Sequence, residues 1–199
     1  MESRRLGTFA LRAFLPLLGA GLFGTTAEAH LFGAHGAAAA EGLAHPFSGL
    51  DHLLAMIAVG VWAVQQGGRA LWAVPTAFVA AMAIGGALSL FGGTLPATES
   101  VIAGSLIVLG LLVGLAVRPA PWMAACVVGF FALFHGYAHG GELPAAAAPW
   151  LYTFGFIVAT AALHGIGMIG GLALGAKPLL RWADAGVTAA GLMFVLGAF

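Results

Sequence analysis

The chain has 199 residues, 61% of them hydrophobic and only 7% charged, with a formal net charge of zero. A mean hydropathy of +1.03 belongs to a membrane protein rather than to a soluble domain. The absence of a basic stripe argues against nucleic acid as a partner, and the absence of a G-x-x-x-x-G-K-[ST] loop argues against ATP-driven pumping by this chain alone.

Residues 1–29 read as a signal peptide. Arg4, Arg5 and Arg12 form the basic region, 13–24 a short apolar stretch, and Ala27-Glu28-Ala29 an A-x-A cleavage site, so the mature chain would begin at His30. The Arg4-Arg5 pair hints at a twin-arginine signal. Gly7 and Thr8 stand where such a signal has bulky apolar residues, which favours the general secretory route. An uncleaved first helix is the competing reading, and it leaves the next segment outside as well.

Beyond it, apolar runs fall at 50–66, 70–91, 101–117, 121–139, 150–175 and 179–199. A bilayer core about 30 Å thick needs roughly 20 apolar residues per helix. The expectation is an all-α polytopic bundle, a single transmembrane domain over 30–199 with about six spans. Arg69, Arg118, Lys177 and Arg181 all fall in or beside the first, third and fifth connections, whereas the second and fourth carry Glu99 and Glu142. The positive-inside rule then makes the odd connections cytoplasmic and both mature termini periplasmic. Trp62, Trp72, Trp122, Trp150 and Trp182 stand at segment borders, as in an aromatic belt. The lone Cys126 reads as packing, and Arg181 with Asp184 as an i, i+3 ion pair. Gly110/Gly114 and Gly171/Gly175 are small-xxx-small patterns for close helix packing. The alanine runs at 37–40 and 145–148 read as external loop or helix-end material.

Six ionisable residues are gathered into two stretches, His45-Pro-Phe-Ser-Gly-Leu-Asp51-His52 and Phe134-His135-Gly-Tyr-Ala-His139-Gly-Gly-Glu142. Such groups are expensive near lipid and persist there when paired or functional. Imidazole with carboxylate and no thiolate suits borderline divalent metals. With the topology above, both stretches reach the external face. His135 and His139 are neighbours at i, i+4. A continued helix puts Glu142 on the same face, within about 60°, but spreads the three over about 10 Å. One ion could take the two histidines; all three need the helix end to unwind at Gly136, Gly140 and Gly141, before Pro144 stops it. If Pro46 opens the first helix, His45 and His52 lie two turns apart, and sharing an ion requires distortion at Ser48-Gly49. Asp51 points about 100° from His52 on a helix, so it faces another helix or orients a ligand histidine. Met56, one turn below, reads as core before soft ligand. His164 falls mid-membrane with Thr160 and Met168 at i−4 and i+4, an inner relay position or a packing residue. His30 and His35 are a second, weaker metal-capture pair, against the reading of a flexible tail.

On these residues the chain resembles the HupE/UreJ family of hydrogenase and urease accessory proteins, regarded as nickel permeases. Its H-x5-D-H motif is met by His45, Asp51 and His52, and its F-H-G-x-A-H-G-x-E motif by Phe134, His135, Gly136, Ala138, His139, Gly140 and Glu142. The resemblance implies Ni2+, or Co2+ in some relatives, carried across a bacterial inner membrane to supply NiFe hydrogenase or urease, with no prosthetic group. Besides the lipid bilayer it leaves cytoplasmic nickel chaperones or a second copy of the chain as further partners. The rival class is an intramembrane zinc hydrolase using the His135/His139 pair, whose H-x-x-x-H spacing is similar to that of membrane ceramidase-like hydrolases. It needs three protein ligands and an open position.

Overall fold

The computed structural model describes residues 29–143, 148–174 and 178–196, with side chains over 37–143, 148–174 and 185–196. The expected signal peptide up to residue 28, Pro144, Lys177, and the side chains of His30, His35, Arg181, Trp182 and Asp184 therefore lie outside the described residues. Among the described residues all regular structure is helical. In chain order come α1 (Ala29–Ala44), a 3-10 turn (His45–Phe47), α2 (Leu50–Gln66), α3 (Ala70–Leu90), α4 (Thr98–Gly114), α5 (Pro121–Gly141), α6 (Pro149–Leu174) and α7 (Pro178–Val195).

Each expected apolar run corresponds to a helix, yet length and apolarity alone qualify only α3, α5 and α6 as spans. A fourth arises if 37–47 and α2, bent by 79° at their junction, count as one broken span. With 17 residues α4 reaches about 26 Å, short of a bilayer core of roughly 30 Å. It begins and ends three residues before the expected run. Ala116 turns left-handed (φ 51°), and the N–H groups of Ala116 and Val117 donate to the carbonyls of Val113 and Leu112 at 3.0 and 2.9 Å. That is a Schellman stop made on alanine.

The run 37–40 is helical rather than loop. Alanine is the best helix former, and Ala38 is buried where α1 packs along α6. In lipid, helices associate through close packing of small residues rather than through a hydrophobic drive. Three glycine pairs do this here. A Cβ on Gly136 would overlap the Met82 carbonyl and one on Gly85 the Leu133 carbonyl, which brings α3 and α5 into backbone contact. Gly60 and Gly167 do the same for α2 and α6, and Gly42 and Gly155 for α1 and α6. Of the two sequence patterns, Gly110 and Gly171 are buried, Gly171 against Val61 and Val64 of α2.

Two side chains depart from expectation. Trp72, Trp122 and Trp150 are exposed as a belt requires, but Trp62 is fully buried. Its indole N–H donates to the Val117 carbonyl at 2.9 Å, beside Gln65, whose amide donates to Val113 at 3.1 Å. Trp62 thereby satisfies the Val117 carbonyl just past the end of α4, while Gln65 adds a second donor to the Val113 carbonyl, which already accepts from Ala116. Cys126 is exposed on α5 rather than packed inside. The Trp62–Val117 contact also puts the C-terminal ends of α2 and α4 at one end of the bundle, where Arg69 and Arg118 follow, while the histidine stretches gather at the other.

Candidate metal site

The bend between α1 and α2 is made by local chemistry. Pro46 lacks a donor and opens the 3-10 turn. Ser48 closes it, its hydroxyl and its N–H both donating to the His45 carbonyl, at 2.6 and 2.9 Å. Gly49 is then extended (φ −109°, ψ 120°) before α2 begins. The distortion expected at Ser48-Gly49 is therefore present. A Cβ on Gly49 would crowd Asp51 Oδ1 and His52 Nδ1.

The second stretch behaves differently. α5 stays helical through Gly140 and Gly141, so those glycines do not unwind the helix end as expected. Gly140 serves packing instead, since a Cβ there would meet Gly86 and Ser89 of α3. Glu142 caps the helix, its N–H donating to the His139 carbonyl at 3.3 Å, and this turn carries its carboxylate back toward His139.

The two stretches meet. His45 Nε2 lies 2.9 Å from Glu142 Oε2, a contact between residues 97 apart in sequence, and His139 Nδ1 lies 3.5 Å from the same oxygen. One ligand atom from each of His45, His139 and Glu142 falls within 4.8 Å of the others, so these three could hold a metal ion. The His139 imidazole, followed by that of His45, holds the Glu142 carboxyl down to about 2, outweighing the upward push of partial burial. His45, His139 and the exposed Glu142 form the outer group, the mouth of the site, to which Glu142 presents a charged oxygen. Deeper in, the His52 ring stands 4.1 Å from that of His139 and 4.7 Å from that of His135, and His135 is fully buried. Four imidazoles form one continuous column.

Over residues 18–194 the sequence matches the family described as HupE / UreJ protein. The chain belongs to the HupE/UreJ family. It is 46% identical over 174 residues to Protein HupE of Rhizobium leguminosarum bv. viciae, which covers 86% of this chain and 91% of that protein. No solved structure matches it. HupE/UreJ proteins are accessory proteins of the nickel/cobalt transporter type and not a known enzyme family, and the apolar helices fit a multi-pass membrane protein.

The two HupE/UreJ motifs are thus adjacent in space, and their residues divide by position. Asp51 does not point to the mouth. Its Oδ1 accepts both the backbone N–H of His52 at 2.8 Å and His52 Nδ1–H at 2.7 Å. The free ring nitrogen of His52 is then Nε2, buried without a hydrogen-bond partner. A carboxylate fixing the ring of a ligand histidine is the expected orienting arrangement. Asp51→Asn should weaken divalent-metal binding roughly 10- to 100-fold, measured by titration calorimetry of the detergent-solubilised protein. Unchanged affinity would remove the orienting role.

His164 is buried, and neither ring nitrogen has a partner, but it stands apart from the column. Phe78 lies between, its ring 5.1 Å from His164 and 5.9 Å from His135. Thr160, expected in a polar seam along α6, donates to Met82 Sδ of α3 at 3.7 Å. Met56 is core. His135 is not among the three residues placed to share one ion. The side chains of His30 and His35 lie outside the described residues.

Four contributors carried no motif. Phe156 packs its ring 4.2 Å from His139, Tyr152 stands 5.7 Å from His45, Phe78 separates the column from His164, and Ser105 meets His135 Nε2 at 3.0 Å. Only Ser105 left a signal in the sequence, as a hydroxyl in the interior of an apolar helix. The aromatics are indistinguishable there from ordinary packing residues.

Proposed function

We propose that this chain is a divalent transition-metal permease that carries Ni2+, with Co2+ as the second candidate, across the bacterial inner membrane to supply NiFe hydrogenase or urease. The observation that carries the reading is the mouth group, in which His45, His139 and Glu142 come from two distant segments to within 4.8 Å of one another. Two imidazoles and a carboxylate without thiolate suit a borderline divalent ion. A cation binding there displaces the hydrogen between His45 and Glu142, and a neutral His45 ring carries that hydrogen on Nδ1 instead. Affinity alone favours copper and zinc in the Irving–Williams order, so selection falls to geometry and supply.

In this reading α2 to α7 are six spans, with the arginine-bearing end cytoplasmic and the mouth and both mature termini periplasmic. The ion passes from the mouth to His52 and His135, then past Phe78 to His164. A doubly charged ion moving inward gains about 4.6 kcal/mol per 100 mV, on the order of a thousandfold concentration ratio, so accumulation needs no ATP.

The test is uptake of radiolabelled nickel and cobalt by cells lacking other nickel importers. Glu142→Gln keeps the shape of the side chain and removes its charge; with His52→Ala, at equal expression, it should lower saturable uptake by at least about tenfold. Wild-type uptake in both variants would sink the proposed path.

A further inference from the structure

Ser105 on α4 is fully buried, and its hydroxyl has two neighbours. Its Oγ lies 2.6 Å from the carbonyl oxygen of Ile102 and 3.0 Å from His135 Nε2. A carbonyl only accepts, so the hydrogen between two oxygens at that separation must be the hydroxyl's own. The hydroxyl has no second hydrogen to give. The bond to His135 therefore runs the other way, with Nε2–H donating to Ser105 Oγ. A neutral imidazole carries one N–H, which leaves His135 Nδ1 as a bare lone pair, and that atom is buried without a hydrogen-bond partner.

The neighbouring ring is in the opposite state. Asp51 takes the hydrogen of His52 Nδ1 and leaves Nε2 bare, and the two rings stand 4.7 Å apart at 83°. Two acceptor nitrogens are thus buried on neighbouring rings, neither with a hydrogen-bond partner. An unpaired buried acceptor is costly, and a bound cation would satisfy such a lone pair.

We propose that Ser105 is a positioning residue that holds His135 in its Nε2–H tautomer and makes Nδ1 the atom that receives the transported cation below the mouth. The proposal rests on the permease reading. It gives α4, which contributes nothing to either motif, a part in the metal path. Without the hydroxyl the ring can turn or move its hydrogen to Nδ1, which would close that nitrogen to metal.

The test uses the full chain in lipid nanodiscs with 15N-labelled histidine, the His135 signals being identified by their loss in His135→Gln. Without added metal, wild type should show Nε2 protonated and Nδ1 bare. Ser105→Ala should lose that preference and bind nickel roughly 10- to 100-fold more weakly, whereas Ser105→Thr, which restores a hydroxyl, should recover both the tautomer and the affinity. A loss of packing alone would lower the melting temperature of Ser105→Ala without changing the tautomer, and that result would overturn the proposal. So would Nδ1–H in the wild type, a measurement that needs no variant of Ser105. If wild type bound neither nickel nor cobalt, the permease reading would fall, while the tautomer would still be read from the spectrum recorded without metal.

Discussion

His139→Ala is expected to abolish saturable nickel uptake, a loss of at least about 100-fold, beyond the range seen when only an orienting partner of a ligand is removed. His139 belongs to the mouth group and also touches the deeper level. The His139 ring stands 4.7 Å from that of His45 and 4.1 Å from that of His52, and its Nδ1 lies 3.5 Å from Glu142. Removing it breaks the mouth group and the step into the column together. Its loss should not unfold the chain, because it lies near the end of α5 and lines an open pocket with Met82, Gly86, Tyr152 and Phe156. The measurement is initial uptake rate against nickel concentration at equal expression. A rate near that of wild type would show that ions bypass this residue, and the mouth would have to be sought elsewhere.

Much of this site could be read from the chain, for a physical reason. Ionisable side chains are so costly in an apolar chain that His45, Asp51, His52, His135, His139 and Glu142 stand out without structural knowledge. The alternation of Arg69, Arg118 and Lys177 with Glu99 and Glu142 puts the two stretches at one end on charge alone. Helical spacing also identified Ser48-Gly49 as the point where the chain must bend. The expectation failed where a residue's partner lies on another helix. Gly140 and Gly141 invited the reading of an unwound end, but both stay helical, and the missing Cβ of Gly140 serves the approach of α3. Trp62 sits at a segment border like the belt tryptophans, yet its N–H is taken by a carbonyl 55 residues away. Ser105 and Phe78 could not be tied to the site from sequence, since nothing local to them specifies His135 as a neighbour. α2 and α4, at 17 residues each, are short for a span, which is why counting apolar runs gives six candidate spans while length and composition support three or four among the described residues.

Gly136→Ala is expected to destabilise the protein by about 2–3 kcal/mol or more, at the upper end of overpacking costs. It should do so without removing any metal ligand. Gly136 lies within the motif, between His135 and His139, which invites a role in binding. The structure assigns it to packing. An added Cβ would overlap the Met82 carbonyl, and a backbone atom in the middle of α3 cannot step aside as a flexible side chain can. Gly85, facing Leu133 one turn away, allows no relief from the other helix. Because α3 and α5 form the most extensive helix pair among the described residues, separating them should also tilt His135 and His139 away from His52 and His45. Gly104→Ala is the matched control, since a Cβ there meets nothing within 4 Å and alanine is favoured over glycine in a helix by about 1 kcal/mol. Thermal unfolding in detergent should show a large drop in Tm for Gly136→Ala, none for Gly104→Ala and little for His139→Ala. An unchanged Tm for Gly136→Ala would mean that α3 and α5 do not meet backbone to backbone, and the motif glycine would then have to act at the metal path itself.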